Sequence, residues 1–264
     1  THNFCVAKCY DSSLFSEPNT ESILRNLHHE GIPDYCDSYK NDSMFVIVRS
    51  YIEGTPLSDY ARNNDLSQEE IVQLCIKLSD VLIYLHNQTP PVIHRDIKPE
   101  NIIVTENEDV VLIDFDIART FKTAEESDTV FFGTKGYAPP EQYGFAQTNT
   151  RSDIYSFGVL LRFLLTDSVR ENHKIRLYKP LRNIITKCTA FDPKNRYSDM
   201  NQVKRALLNA NPRSQVIRIV RISICVLAVM AVVSFAGKTA YERITYNPFT
   251  DGTVIPRVMP DEER

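Results

Sequence analysis

The segment VIHRDIKPENIIV, residues 92–104, constrains this chain more than any other stretch. It follows Pro90 and Pro91, which stop a preceding helix, and it runs into a β-branched tail that reads as a strand. An extended chain sends alternate side chains to one side, so Asp96 and Lys98 project together. Asp96 can accept a proton from a hydroxyl nucleophile, and Lys98 can steady a negatively charged group beside it. Asn101 offers an amide oxygen to a hard cation. Further on, LIDFD puts Asp114 at the end of a hydrophobic strand, a natural second ligand. Mg²⁺ is commonly held by one or two protein oxygens together with phosphates. An acid, a lysine and two such ligands across a hairpin suit phosphoryl transfer, which depends on positioning and charge neutralisation.

The flanking sequence frames this segment. Residues 4–54 read as strands around one short helix: FCVAKCY and MFVIVRSYI as strands, TESILRNLHHE as a helix with Ile23, Leu24 and Leu27 on one side. The next long helix is SQEEIVQLCIKLSDVLIYLHNQ. Ser67 and Glu70 have capping-box spacing there, and Ile71, Leu74, Cys75, Leu78, Leu82 and Leu85 form its apolar stripe. NIIV and VVLID, joined by TENED, form a hairpin. A loop from Phe115 to about Gln147 precedes RSDIYSFGVLLRFLL and two more helices ending near Ala210. A strand-rich small part followed by a helical large part predicts an α+β fold in two lobes with a crevice between them.

A net charge of −4 over 264 residues argues against a nucleic-acid binder. The six cysteines are scattered without metal spacing and read as reduced thiols. One stretch does not suit a soluble domain. ISICVLAVMAVVSFAG, residues 222–237, carries no charge. At about 1.5 Å per residue it reaches about 24 Å, and the apolar residues between Val216 and Val220 lengthen it toward a ~30 Å bilayer core. The competing reading, a buried core helix, lacks any polar face here. Lys204, Arg205, Arg213, Arg218 and Arg221 precede the run, against Lys238 and Arg243 just after it, so residues 1–221 are expected in the cytoplasm.

The motifs together resemble the protein kinase family. HRDIKPEN resembles its catalytic loop, DFD stands where DFG is usual, and GTKGYAPPE is similar to the segment closing the activation loop. SDIYSFGV resembles the helix whose acid, Asp153, ties back to the catalytic loop, and DPKNRYS supplies Arg196, the expected partner of Glu141. Lys98, with Thr134 ahead of KGYAPPE, follows the serine/threonine pattern. GTKGYAPPEQYG and LIDFDIAR look similar to membrane-anchored serine/threonine kinases of Gram-positive bacteria.

This resemblance implies transfer of the γ-phosphate of ATP to protein hydroxyls, with Mg²⁺ or alternatively Mn²⁺. Asp96 takes the place of the catalytic base, Lys98 of the phosphate-contacting lysine, and Asn101 and Asp114 of the metal ligands. Arg95 corresponds to the arginine that meets an activation-loop phosphate, for which Thr129 or Ser127 are the chosen acceptors. His94 and Phe115 correspond to packing residues. Lys8 corresponds to the strand lysine on the ATP phosphates. Backbone groups from Ser50 through Tyr51 to Ile52 are expected to bind adenine, with Val6 or Ala7 covering it.

The predicted layout is a partial N-lobe (1–54), a C-lobe (55–210), a basic juxtamembrane segment (211–221), a membrane helix (222–237) and an outer tail (238–264). Expected partners are Ser/Thr-bearing proteins, the lipid bilayer and a second copy in a homodimer.

Four features depart from the family pattern. No glycine-rich loop precedes CVAKCY, which reads as a truncation before the lysine strand. The glutamate expected to pair with Lys8 falls at Thr20, leaving Glu21, or else Glu17, as its replacement. Asp116 replaces a glycine, restricting the loop or adding charge near the metal. Arg49 occupies a usually apolar position and is expected to turn toward an acid such as Glu53. These departures keep open a pseudokinase scaffold, which the intact Asp96, Asn101 and Asp114 oppose. A small-molecule phosphotransferase of similar fold is opposed by the APPE segment and the Glu141/Arg196 pair.

Overall fold

The computed structural model describes residues 4–11, 19–120, 134–143, 147–169, 178–210 and 212–245. The chain divides into two compact units, residues 1–214 and 215–264.

The first unit opens with β1 (Cys5–Asp11), α1 (Asn19–Arg25), β2 (Tyr35–Lys40) and β3 (Met44–Ser50). These strands form one antiparallel sheet in the order β1-β3-β2, with Lys8 opposite Ile47 and Tyr10 opposite Phe45. Period-two alternation turns Val6, Lys8 and Tyr10 to the inner face and leaves Cys5, Ala7 and Cys9 exposed. Ile47, Phe45 and the α1 residues Ile23 and Leu24, with the following Leu27, bury the inner face. β2 escaped the sequence reading because YCDSYK has no apolar alternation; its pairing with β3 makes it a strand.

The larger part follows as β4 (Thr55–Pro56), α2 (Leu57–Asn63), α3 (Gln68–His86), β5 (Val92–Ile93), β6 (Ile102–Val104), β7 (Val110–Leu112) and β8 (Arg119–Thr120). Ser67 and Glu70 close a reciprocal capping box at the start of α3, and the predicted apolar stripe is buried. β6 and β7 form the expected hairpin, with β4 added on the other side of β6. Its turn puts Glu108 in a left-handed conformation, φ 60°. The short pair β5–β8 brings the stretch before His94 against Arg119 and Thr120.

Three helices complete the unit: α4 (Thr150–Thr166), α5 (Lys179–Cys188) and α6 (Met200–Ala210). Asn149 caps α4 through Arg151 N–H, in a reciprocal box with Ser152. α4 packs on α5 where Gly158 meets Cys188. α6 lies along α3 and is tied to it by Lys204 and Asp80. The architecture is α+β.

The second unit is dominated by α7 (Pro212–Thr245), most of which belongs to it. The helix runs past residue 237, the expected end of the apolar segment, because Gly237 alone does not break it and Lys238–Thr245 contains no proline. Ser223–Tyr241 is long and apolar enough to cross a membrane, with a mean hydropathy of 1.8.

A side chain at Gly158 has no room. A Cβ there would overlap the Cβ of Cys188 and lie 3.0 Å from Thr189 Cγ2. Gly158→Ala is therefore expected to lower stability by about 1–3 kcal/mol in denaturant unfolding, despite the helix-propensity gain. An unchanged or higher midpoint would mean that α4 and α5 are not held this close.

Candidate active site

The polar segment after β5 is held from behind. Asp153, in the first turn of α4, is wholly buried and accepts the N–H of His94 at 3.0 Å and of Arg95 at 2.9 Å. Its Oδ2 also lies 2.8 Å from His86 Nε2 at the end of α3. Burial alone would push this carboxyl up, but the His86 hydrogen bond and nearby imidazoles outweigh it and hold it below the usual carboxylate range. Arg95 is pinned in a left-handed conformation, φ 72°, and its carbonyl accepts from buried Gln142 Nε2 at 2.8 Å. This turn presents Asp96 outward.

Asp96, Lys98, Asn101 and Thr134 form one hydrogen-bonded group. Lys98 Nζ is 2.7 Å from Asp96 Oδ2, and it donates to Thr134 Oγ1 at 2.7 Å. Thr134 Oγ1 donates to Asp96 Oδ1 at 2.8 Å. Asn101 Nδ2 donates to Asp96 Oδ2 at 2.8 Å and to the Asp96 carbonyl at 2.9 Å. The asparagine nitrogen is thereby committed, and its amide oxygen has no hydrogen-bond donor among the described residues. Ile113 N–H donates to the Asn101 carbonyl at 2.8 Å, which sets Asp114 beside Asn101. Asn101 Oδ1 and the Asp114 carboxylate are oxygen donors of the kind that hold Mg²⁺ completed by phosphates. Among the described residues no cluster of three or more His, Cys, Asp or Glu could hold a metal instead.

His94 is buried, edge-on to Phe115 at 4.8 Å between ring centroids, and Ile113 O lies 3.2 Å from its Nε2. Burial pulls its pKa below the ordinary value despite neighbouring carboxylates. It acts in packing. At the other end of this part, buried Arg196 grips Glu141 through two bonds of 2.6 and 2.9 Å.

Lys8 Nζ reaches Asp114 Oδ1 at 2.8 Å and Asp116 Oδ2 at 2.5 Å. Burial raises the Asp114 pKa, but the Lys8 hydrogen bond and charge prevail and bring it below the usual range. The expected Lys8–Glu21 pair is not formed. Glu21 is taken by Ser38 Oγ at 2.7 Å and Arg25 at 2.6 Å, with Tyr35 also in reach. The i,i+4 spacing on α1 favours Arg25 over a lysine on another element. Glu17 lies outside the described residues. Asp116 turns toward Lys8, and its φ is not positive, so no glycine is required there. The left-handed residue is Asp114, φ 65°.

Val6 shares the face of Lys8, whereas Ala7 points the other way and is exposed, so Ala7 cannot cover a ligand held beside Lys8. Ser50 N–H donates to Asp34 O at 2.9 Å and Tyr51 N–H to Phe4 O at 3.0 Å. Ile52 keeps its backbone groups out of such bonds among the described residues. Arg49 makes no ion pair with Glu53. Of the loop hydroxyls, Thr123, Ser127 and Thr129 lie outside the described residues. Sequence reasoning did not identify His86, Gln142 or Tyr10 as parts of this network. A histidine closing a helix and a glutamine in APPEQYG carry no local signal, since their partners are distant in sequence.

A family model for the protein kinase domain matches residues 9–174, more than half of the chain. Serine/threonine-protein kinase D of Synechocystis is 29% identical over 70% of this chain and 40% of its own length. A probable serine/threonine-protein kinase PknB of Lactococcus lactis is 28% identical over 68% of the chain and 32% of its own. A putative leucine-rich repeat receptor-like serine/threonine-protein kinase of Arabidopsis thaliana is 36% identical over 54% of the chain but 17% of its own. The matches thus span less than half the length of these relatives. The chain belongs to the protein kinase family, and it is similar to bacterial serine/threonine members.

Asp153→Ala would strand two buried N–H groups, each costing about 1–3 kcal/mol. Unfolding of the variant is expected at markedly lower denaturant than wild type. Because the Asp153 pKa is depressed in the folded state, its contribution is present above the unfolded value and is lost as pH falls through the lower folded value. The stability difference between the two proteins should therefore be intact at pH 5 and shrink only in stronger acid. Equal stability at pH 5 would refute the assignment.

Proposed function

We propose that the chain is a serine/threonine protein kinase that transfers the γ-phosphate of ATP to protein hydroxyls. The observation that carries this reading is the single hydrogen-bonded group of Asp96, Lys98, Asn101 and Thr134, with Asp114 alongside. In this reading Asp96 orients the acceptor hydroxyl and takes its proton. Lys98, held between Asp96 and Thr134, neutralises charge on the phosphoryl group as it moves. Asn101 and Asp114 would hold Mg²⁺, which supplies charge neutralisation on the phosphate oxygens. Lys8 would grip the α- and β-phosphates, Val6 would line the adenine site, and the Ile52 N–H is the available donor to the base.

The chain is read as tethered by α7, whose Ser223–Tyr241 stretch would span the bilayer with the basic residues before it on the cytoplasmic side. A homodimer and control by phosphate on Ser127 or Thr129, read by Arg95, complete the proposal.

The test is transfer of phosphate by the chain in lipid with Mg²⁺ and ATP, with the modified sites mapped by mass spectrometry. Asp96→Asn should reduce Ser and Thr phosphorylation by about a hundredfold or more, the scale of general-base catalysis. Transfer that persists in this variant would remove Asp96 from the mechanism, and the proposal with it.

A further inference from the structure

We propose that Asp116 is the residue that positions Lys8, in place of the α1 carboxylate expected at position 20. The proposal deepens the kinase reading and rests on it. Two departures from the family pattern, an acid where the loop usually has glycine and a threonine where α1 usually has glutamate, become one exchange.

Asp116 Oδ2 lies 2.5 Å from Lys8 Nζ, and its other oxygen accepts from Tyr10 Oη at 2.6 Å. Both carboxylate oxygens are thus directed. Tyr10 stands two residues after Lys8 on the inner face of β1, and the lysine also sits 6.0 Å from its ring centroid. Burial first, then the Asp116 hydrogen bond and the two aspartate charges, raise the Tyr10 pKa, so its hydroxyl keeps the proton it donates. The strand therefore carries the lysine together with the group that aims its counter-ion.

Asp114 cannot take this role during turnover. A bound Mg²⁺ would take its carboxylate, and the Lys8–Asp114 contact would compete with that. Asp116 carries no such obligation. Thr20 is buried, and its Oγ1 donates to the Phe115 carbonyl at 3.0 Å, so α1 fixes the backbone between the two aspartates. Glu21 is held by Ser38 and Arg25. The Lys8 ion pair therefore lies between β1 and the loop after β7. Its formation does not depend on a carboxylate from α1.

The experiment uses the whole chain in lipid, with Asp116→Gly, Asp116→Asn and the double variant Asp116→Gly/Thr20→Glu. Three quantities are read: Lys8 acylation by an amine-reactive ester, affinity for a fluorescent ATP analogue with Mg²⁺, and kcat and KM of transfer. Loss of the charge-assisted bond should weaken nucleotide affinity about tenfold or more and make Lys8 more reactive. The double variant should recover affinity. Asp116→Asn keeps the side-chain size and covers the case in which the glycine variant does not fold.

Lys8 reactivity and nucleotide affinity unchanged in a folded Asp116 variant would overturn the proposal, even with transfer intact. If wild type binds nucleotide without transferring phosphate while Lys8 still responds to position 116, the positioning role stands and the kinase reading falls.

Discussion

The buried carboxylate of Asp153 is the interaction on which the site depends. It has no exposure, and it joins three elements by taking the N–H groups of His94 and Arg95 and facing His86 of α3. A charge so placed is tolerable only because several donors replace its lost water. It also sits in the first turn of α4, where the helix dipole favours an anion. The consequence is geometric. With both N–H groups fixed, Arg95 holds its left-handed turn, and the next residue, Asp96, meets Lys98 and Asn101.

A second layer of contacts adjusts what that loop meets. Gln142 holds the Arg95 carbonyl, while Thr134 stands between Lys98 and Asp96. The segment containing both is anchored below by Glu141 and Arg196, a bidentate buried pair. Removing either partner of such a pair leaves an uncompensated charge, so the residues act as one unit. Lys8, Tyr10, Asp114 and Asp116 form a compact charged group between β1 and the loop after β7.

Much of this was legible because local chemistry marked it. Ser67 and Glu70 announced α3, and the apolar stripe behind them gave its buried face. The β6–β7 hairpin was visible in two β-branched runs around a turn-forming stretch. The polar segment from His94 to Asn101 was legible because its spacing is chemically specific. What stayed hidden depends on partners far along the chain. β2 has no apolar alternation and is a strand through β3 alone. Glu21 is an acid near the expected position, but Arg25 one helical turn away and Ser38 across on β2 capture it. The direction of Asp116 could not be read from LIDFD, since Tyr10 and Lys8, which aim it, lie on a strand over a hundred positions earlier.

The most direct test of the account is an experimental structure of the chain with Mg²⁺ and a non-hydrolysable ATP analogue. It should place the metal between Asn101 Oδ1 and Asp114, with Lys8 on the phosphates and still paired to Asp116. Nucleotide bound away from these residues, or Lys8 paired with Glu21, would contradict it.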